Sequence, residues 1–178
     1  IGAACALALA EAGADVVISA RSEDQLTDVA AQIEAAGRRA HVVVADLSDL
    51  DAVAGLATAA KEAFGRLDVV VDNLGGTMPR PFEHTSPRYL TEAFSFNVAT
   101  AHALNRAALP VMLEGGGGSI VGISSIMGRV AGRGGVAARG CEEGDGEQGG
   151  AAQHGCRDRG AACAGRSRPP PHACRSFV

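Results

Sequence analysis

Four short apolar runs constrain the fold of this chain more than any other feature. They are Ala14–Ala20 (ADVVISA), His41–Ala45 (HVVVA), Leu67–Val71 (LDVVV) and Ser119–Ser124 (SIVGIS). All are rich in β-branched residues and fit strands buried on both faces. Helical spacing fills the stretches between them. After a candidate N-cap at Ser22, Leu26, Val29, Ala30 and Ile33 fall at i, i+3, i+4 and i+7, and Gly37 closes the helix. Leu50, Val53, Leu56, Ala57, Ala60 and Phe64 mark one face of a second helix that ends at Gly65. Residues 87–114 read as a long helical stretch broken near Asn97. Strands separated by helices of this length require parallel crossovers, and right-handed crossovers build a doubly wound α/β sheet.

Composition narrows the function classes. The 178 residues carry a net charge of −4, which gives no reason to expect a nucleic-acid partner, and no basic stripe appears. Hydrophobic residues make up 47%, enough for a core, yet no run of eighteen is apolar and free of charge, so no membrane span is expected. Ile1-Gly2-Ala3-Ala4 lacks the positive start of a secretory signal, and we expect a cytoplasmic protein. Without an initiator Met, the N-terminus reads as cut.

The chain changes character near residue 134. Residues 1–133 read as one unit of alternating strands and helices, a partial nucleotide-binding domain. Residues 134–178 contain ten Gly and no Leu, Ile or Met; their large apolar residues are Val136, Phe177 and Val178. A segment rich in Gly, Ala, Arg, Cys and Pro buries too little apolar surface to offset the entropy of ordering it, so a disordered tail is expected. Its abrupt onset reads as out-of-frame translation of a GC-rich gene rather than as a natural tail. Cys141, Cys156, Cys163 and Cys174 with His154 and His172 show no C-x-x-C and no repeated pair, so no metal site is expected.

Several strand ends carry residues suited to a dinucleotide. Gly2 opens the first helix, where a backbone free of Cβ and unpaired N–H groups can approach a pyrophosphate. Ala20 stands where an NAD site usually has an acid for the ribose 2′-hydroxyl. Arg21, followed by Ser22, suits a 2′-phosphate instead and favours NADP(H) over NAD(H). Asp46 and Leu47 end the second strand, and Asp72-Asn73-Leu74-Gly75 ends the third. Asn97 is a polar residue in an Ala-, Val- and Leu-rich helix, so it needs a partner, which a kink carbonyl could supply. Ser124 and Ser125 lie at the carboxyl end of the fourth strand, where open α/β sheets hold ligands.

In order and spacing, Ile1-Gly2, Asp46-Leu47, Asp72-Asn73-Leu74-Gly75, Asn97 and Ser124-Ser125 resemble the short-chain dehydrogenase/reductase family over residues 1–133. The similarity is strongest to bacterial 3-oxoacyl-[acyl-carrier-protein] reductases and related hydroxysteroid or alcohol dehydrogenases. The resemblance implies an incomplete Rossmann-type sheet and reversible hydride transfer between a nicotinamide cofactor and a small-molecule carbonyl or secondary alcohol. It implies that Asp46 and Leu47 flank the adenine and that Asn73 and Gly75 support the sheet beside the cofactor. It assigns Asn97 to a proton relay and Ser125, preferred to Ser124 by family spacing, to the substrate carbonyl oxygen. The resemblance implies homo-oligomers among intact relatives, with interfaces drawn partly from regions expected to be missing here, so oligomerisation is not expected to carry over unchanged.

The family's proton transfer rests on a Tyr-x-x-x-Lys pair after the serine. Here those places hold Ala138 and Glu142, and the only Tyr and Lys of the chain are Tyr89 and Lys61. The chain as written is therefore expected to be inactive; the alternatives are a non-catalytic nucleotide-binding remnant and a non-functional translated fragment. The family's strand order also implies a one-strand gap between the first two and the last two surviving strands, with unpaired backbone along it.

Overall fold

The computed structural model describes residues 1–78 and 80–125, together with the backbone of residues 175–177. Helix α1 spans Gly2–Glu11 and buries Ala6 and Ala10. Strand β1, Asp15–Ala20, follows, with its first four residues buried. Helix α2, Glu23–Ala35, buries Leu26 and Ile33, and Val29 and Ala30 pack beside them, as the spacing predicts. Ser22 has the extended backbone of an N-cap (φ −95°, ψ 104°) but its side chain makes no cap hydrogen bond. Strand β2 covers Ala40–Val44.

Helix α3, Leu50–Phe64, begins at Asp49, whose carboxylate accepts from the Asp51 N–H. It ends at Gly65 with φ 78°, a left-handed conformation that glycine adopts without Cβ strain. Strand β3 is Val69–Asp72. A 3₁₀ turn, Phe82–His84, leads to helix α4, Pro87–Phe94, and then to a π-helical turn at Ser95–Ala99 and helix α5, Thr100–Glu114. The expected break near Asn97 is thus a π turn centred on that residue. Strand β4 is Ser119–Gly122, two residues shorter than its apolar run.

All pairings are parallel. Val16–Ala20 of β1 pairs with Ala40–Val44 of β2, and Val69–Asp72 of β3 pairs with Ser119–Gly122 of β4. The gap expected between these pairs is occupied. Arg175–Phe177 forms β5, in register with Asp15–Val17 on one side and with Val69 and Val70 on the other, giving the order β2-β1-β5-β3-β4. The expectation of disorder for residues 134–178 was drawn from side-chain composition and is amended at 175–177. Ladder bonds use backbone groups alone, and two facing strand edges with unpaired N–H and C=O groups favour any extended segment between them. The rest of that segment lies outside the described residues.

Alternate residues of β1 feed two cores. Val16 and Ile18 pack with α1 and α2 around Ile33. Val17 and Val70 face α3 and α5, against Leu56, Phe64, Leu104 and Met112. Buried at the start of β1, Asp15 accepts from Arg38 Nη2 at 2.6 Å, from Arg39 Nη2 at 2.6 Å and Nε at 3.0 Å, and from the Arg39 backbone N–H at 3.2 Å. This ties the turn before β2 to the central sheet. Burial alone would raise the Asp15 pKa; the bonds from Arg39 and the charges of Arg38 and Arg39 outweigh it and hold the carboxyl below its ordinary value.

The sign follows from linkage. A depressed folded pKa contributes stability that is complete above the unfolded value near pH 4 and fades as pH falls through the folded value. Asp15→Asn should cost about 1–3 kcal/mol at pH 7, since it strips a buried charge from two guanidinium groups. Urea unfolding at pH 7 and pH 3 checks this: the deficit should shrink at the lower pH. An equal deficit at both would show that packing, not charge, sets it.

Candidate cofactor and active site

The pairing of β5 stops at Val17 and Val70, and the sheet opens beyond it into a cleft of about 570 Å³. Its walls come from the carboxyl ends of three strands. Ile18–Arg21 stand on one side with Asp46, Leu47 and Ser48 from the loop after β2. Val71, Asp72, Asn73, Leu74 and Gly75 stand on the other, with Phe96 and Thr100 behind them. Gly2 and Ala3 at the start of α1 form the floor. This is the point where a doubly wound sheet reverses direction and where open α/β folds bind ligands. The first N–H groups of the ten-residue α1 add a partial positive charge there.

The structure gathers Gly2, Arg21, Asp46, Leu47, Asn73 and Gly75 around one cavity. Ser22 is not among them; it is exposed at the start of α2. Ser125 does not line the cleft either. It lies exposed on the loop three residues beyond β4, and that loop is anchored because the Ile123 N–H donates to the Asp72 carbonyl at 2.8 Å. Ser125 therefore occupies the same sheet edge as Asn73–Gly75, outside the cavity wall.

Asn97 is held at both ends. Its Oδ1 accepts from the Gly76 N–H at 2.8 Å, while its Nδ2 donates to the Ala93 carbonyl at 2.7 Å and to Thr77 Oγ1 at 2.8 Å. The bond to Ala93, four residues back, is the kink carbonyl anticipated from sequence. The bonds to Gly76 and Thr77 reach across to the loop after β3. A Cβ on Gly75 would stand 3.0 Å from Asn97 Oδ1, so a bulkier residue there would press on this clamp. Neither Thr77 nor the buried Thr100, whose hydroxyl donates to the Phe96 carbonyl at 2.7 Å, was singled out from sequence. Both lie beside motif residues, and that proximity was the available signal.

Two carboxylates at the cleft respond in opposite directions. Asp46, exposed, accepts from the Ser48 N–H at 3.0 Å and the Ser48 hydroxyl at 2.8 Å; with the nearby charge of Arg21, these bonds hold its pKa down. Asp72, at the end of β3, is 8% exposed, and burial pushes its pKa up against a hydrogen bond from the Leu74 N–H. Leu74 packs against the α3–α5 core while also lining the cleft. Among the described residues no three His, Cys, Asp or Glu side chains are placed to hold a metal; His154, His172 and the four later cysteines lie outside them. No helix among these residues is long and apolar enough to cross a membrane.

Residues 1–137 match the family model for short chain dehydrogenase. An uncharacterized oxidoreductase of Mycobacterium tuberculosis is 58% identical over 135 residues, which is 75% of this chain and 51% of that protein. A metagenomic short-chain oxidoreductase solved in complex with NADP superposes with a TM-score of 0.70 at 36% identity, covering 76% of this chain and 62% of the other. A 7α-hydroxysteroid dehydrogenase solved with NADH and 7-oxo glycochenodeoxycholic acid gives 0.68 at 28% identity, covering 74% and 52%. The chain spans about half the length of the curated relatives it matches.

The raised pKa of Asp72 makes a stability prediction. An acid whose folded pKa is raised favours folding most below its unfolded value near 4, and that advantage is lost as pH rises through the folded value. Asp72→Asn keeps an acceptor for the Leu74 N–H without the buried charge. It should raise stability at pH 7 by about 1 kcal/mol and leave it unchanged near pH 3. Thermal unfolding at the two pH values measures this; a loss of stability at pH 7 would contradict the assignment.

Proposed function

Since this chain belongs to the short-chain dehydrogenase family, we propose that residues 1–133 form the nucleotide-binding part of an oxidoreductase. Its reaction is hydride transfer between a nicotinamide cofactor and a carbonyl compound or secondary alcohol, with the cofactor supplying the hydride. The carrying observation is convergence: four segments distant in sequence deliver Gly2, Arg21, Asp46–Leu47 and Asn73–Gly75 to one cleft at the switch point of the sheet.

Each residue has a part the site's chemistry supports. The N-terminus of α1 faces the cleft through Gly2 and Ala3 and suits a pyrophosphate. Arg21 lines the rim beside Asp46 and would receive a 2′-phosphate, with Ser22 next to it on the outer side. Asp46, held ionised by Ser48, accepts from an exocyclic amine such as that of adenine, with Leu47 as an apolar neighbour. Asn97 fixes the Gly76–Thr77 loop and, in the complete protein, continues into the proton relay. Ser125, on the loop pinned to β3, supplies the hydroxyl for the substrate oxygen.

We further propose that the 178-residue chain binds nucleotide without turning over carbonyl substrates at enzymatic rates. The Tyr89 hydroxyl is engaged by the Met78 carbonyl at 2.5 Å, and Lys61 pairs with Glu114 at 2.5 Å on the outer helices. Neither lines the cleft. These two engagements favour the non-catalytic reading for the chain as it stands. General acid catalysis contributes about 10²–10⁴-fold, and that share is missing.

Fluorescence titration with NADPH and NADH tests the cofactor assignment. NADPH should bind about tenfold more tightly, and Arg21→Gln should erase the difference, since a charge-assisted contact is worth about 1.5–3 kcal/mol. A preference for NADPH that survives Arg21→Gln would remove Arg21 from that role. Steady carbonyl-dependent oxidation of NADPH by the wild-type chain would overturn the non-catalytic reading.

A further inference from the structure

We propose that Arg80 selects carbonyl substrates carrying a carboxylate, by receiving that group in a hollow beside the Asn97 clamp; this rests on the oxidoreductase reading above. The hollow, about 270 Å³, lies between the loop after β3 and α4, walled by Gly76, Thr77, Arg80, Tyr89, Glu92 and Phe96. It adjoins the main cleft, because Phe96 lines both and Gly75, which lines the cleft, is followed at once by Gly76. A molecule whose carbonyl reaches the sheet edge near Asn97 would therefore extend its far end toward Arg80.

The side chain is held ready for such a contact. Its guanidinium stacks over the Tyr89 ring at 4.0 Å from the centroid, and Tyr89 is itself fixed through its hydroxyl bond to the Met78 carbonyl. Stacking occupies the face of the guanidinium and leaves its N–H edge available for two parallel bonds to a carboxylate. Arg80 has no carboxylate partner among the described residues. Glu92, the acid that lines the hollow, is already taken: Arg88 Nε donates to it at 2.7 Å, one helical turn away on α4. The hollow thus presents one cation whose charge is uncompensated and one anion whose charge is matched. An uncharged ketone gains nothing from this arrangement, whereas a 3-oxo acid gains a charge-assisted pair.

The test compares acetoacetate with its methyl ester, a pair alike in size and differing in one charge, by isothermal titration against the full 178-residue chain without nucleotide. Acetoacetate should bind about fivefold more tightly at low salt, as a partly exposed ion pair allows, and the preference should fall as salt rises. Arg80→Gln should equalise the two ligands. Arg106→Gln, which removes the same charge from the exposed surface of α5, should leave the preference intact. Equal binding by the wild-type chain, no detectable binding of acetoacetate, or a preference that persists in Arg80→Gln would each overturn the proposal. NADPH titration of the same samples reads the oxidoreductase assignment separately. Loss of nucleotide binding would count against that assignment, while the carboxylate preference is measured without nucleotide and stands or falls alone.

Discussion

The structure depends on how two pairs of parallel strands are held one strand-width apart. β1 with β2 carries Arg21 and Asp46, while β3 with β4 carries Asn73, Gly75 and the loop to Ser125. The useful cleft exists only because the halves face each other at a fixed spacing, about 10 Å for two successive inter-strand steps. Within the described residues β5 sets that spacing from below, pairing with Asp15–Val17 and with Val69–Val70. The core of α3 and α5 sets it from behind, since Val17 of one half and Val70 of the other pack against the same helices. Above these supports the sheet is open, and the opening is the candidate site.

A second constraint acts on the β3 half. The π turn at Ser95–Ala99 inserts an extra residue into the helix and rotates Asn97 toward the loop after β3. Such bulges often accompany functional positions. Here the consequence is local and visible: one side chain joins the helix, Gly76 and Thr77, and the close approach of Gly75 leaves no room for a Cβ without displacing it. The two cleft carboxylates then divide in character. Asp46 is exposed, bonded by Ser48 and held ionised beside Arg21, whereas Asp72 is buried and pushed toward its neutral form. One rim of the candidate site is thus polar and charged, while apolar residues such as Ile18, Leu56 and Val71 also line it.

Helix faces were legible in the sequence because burial repeats with the helical period: Leu26 and Ile33, and Val53, Leu56, Ala57, Ala60 and Phe64, all face the core. Leu50, at the start of α3, shares that spacing yet is 38% exposed. Strand limits shifted by one or two residues, since pairing and not hydrophobicity decides where a ladder ends. Of the cleft-lining residues, Arg21, Asp46–Leu47 and Asn73–Gly75 were legible as the ends of strands. Their partners were not: Thr77 for Asn97, and Arg38 with Arg39 for Asp15, lie about twenty residues away and carry no local signal. β5 was illegible for a different reason. Composition measures what side chains can bury, and a strand between two open edges is held by backbone bonds that composition does not register. Ser125 lies at the sheet edge and not on the cavity wall, a distinction that needs the path of the loop beyond Gly122.

Amide hydrogen exchange of the full chain, with and without NADP⁺, tests the central claim most directly, because the claim is that one ligand spans both halves of the sheet. The account predicts that saturating NADP⁺ slows exchange together at the start of α1, at Arg21, at Asp46–Ser48 and at Asn73–Gly76, with the outer helix α2 beyond its first turn unchanged. Protection confined to one strand pair, or no change at any of these segments under saturating nucleotide, would contradict it.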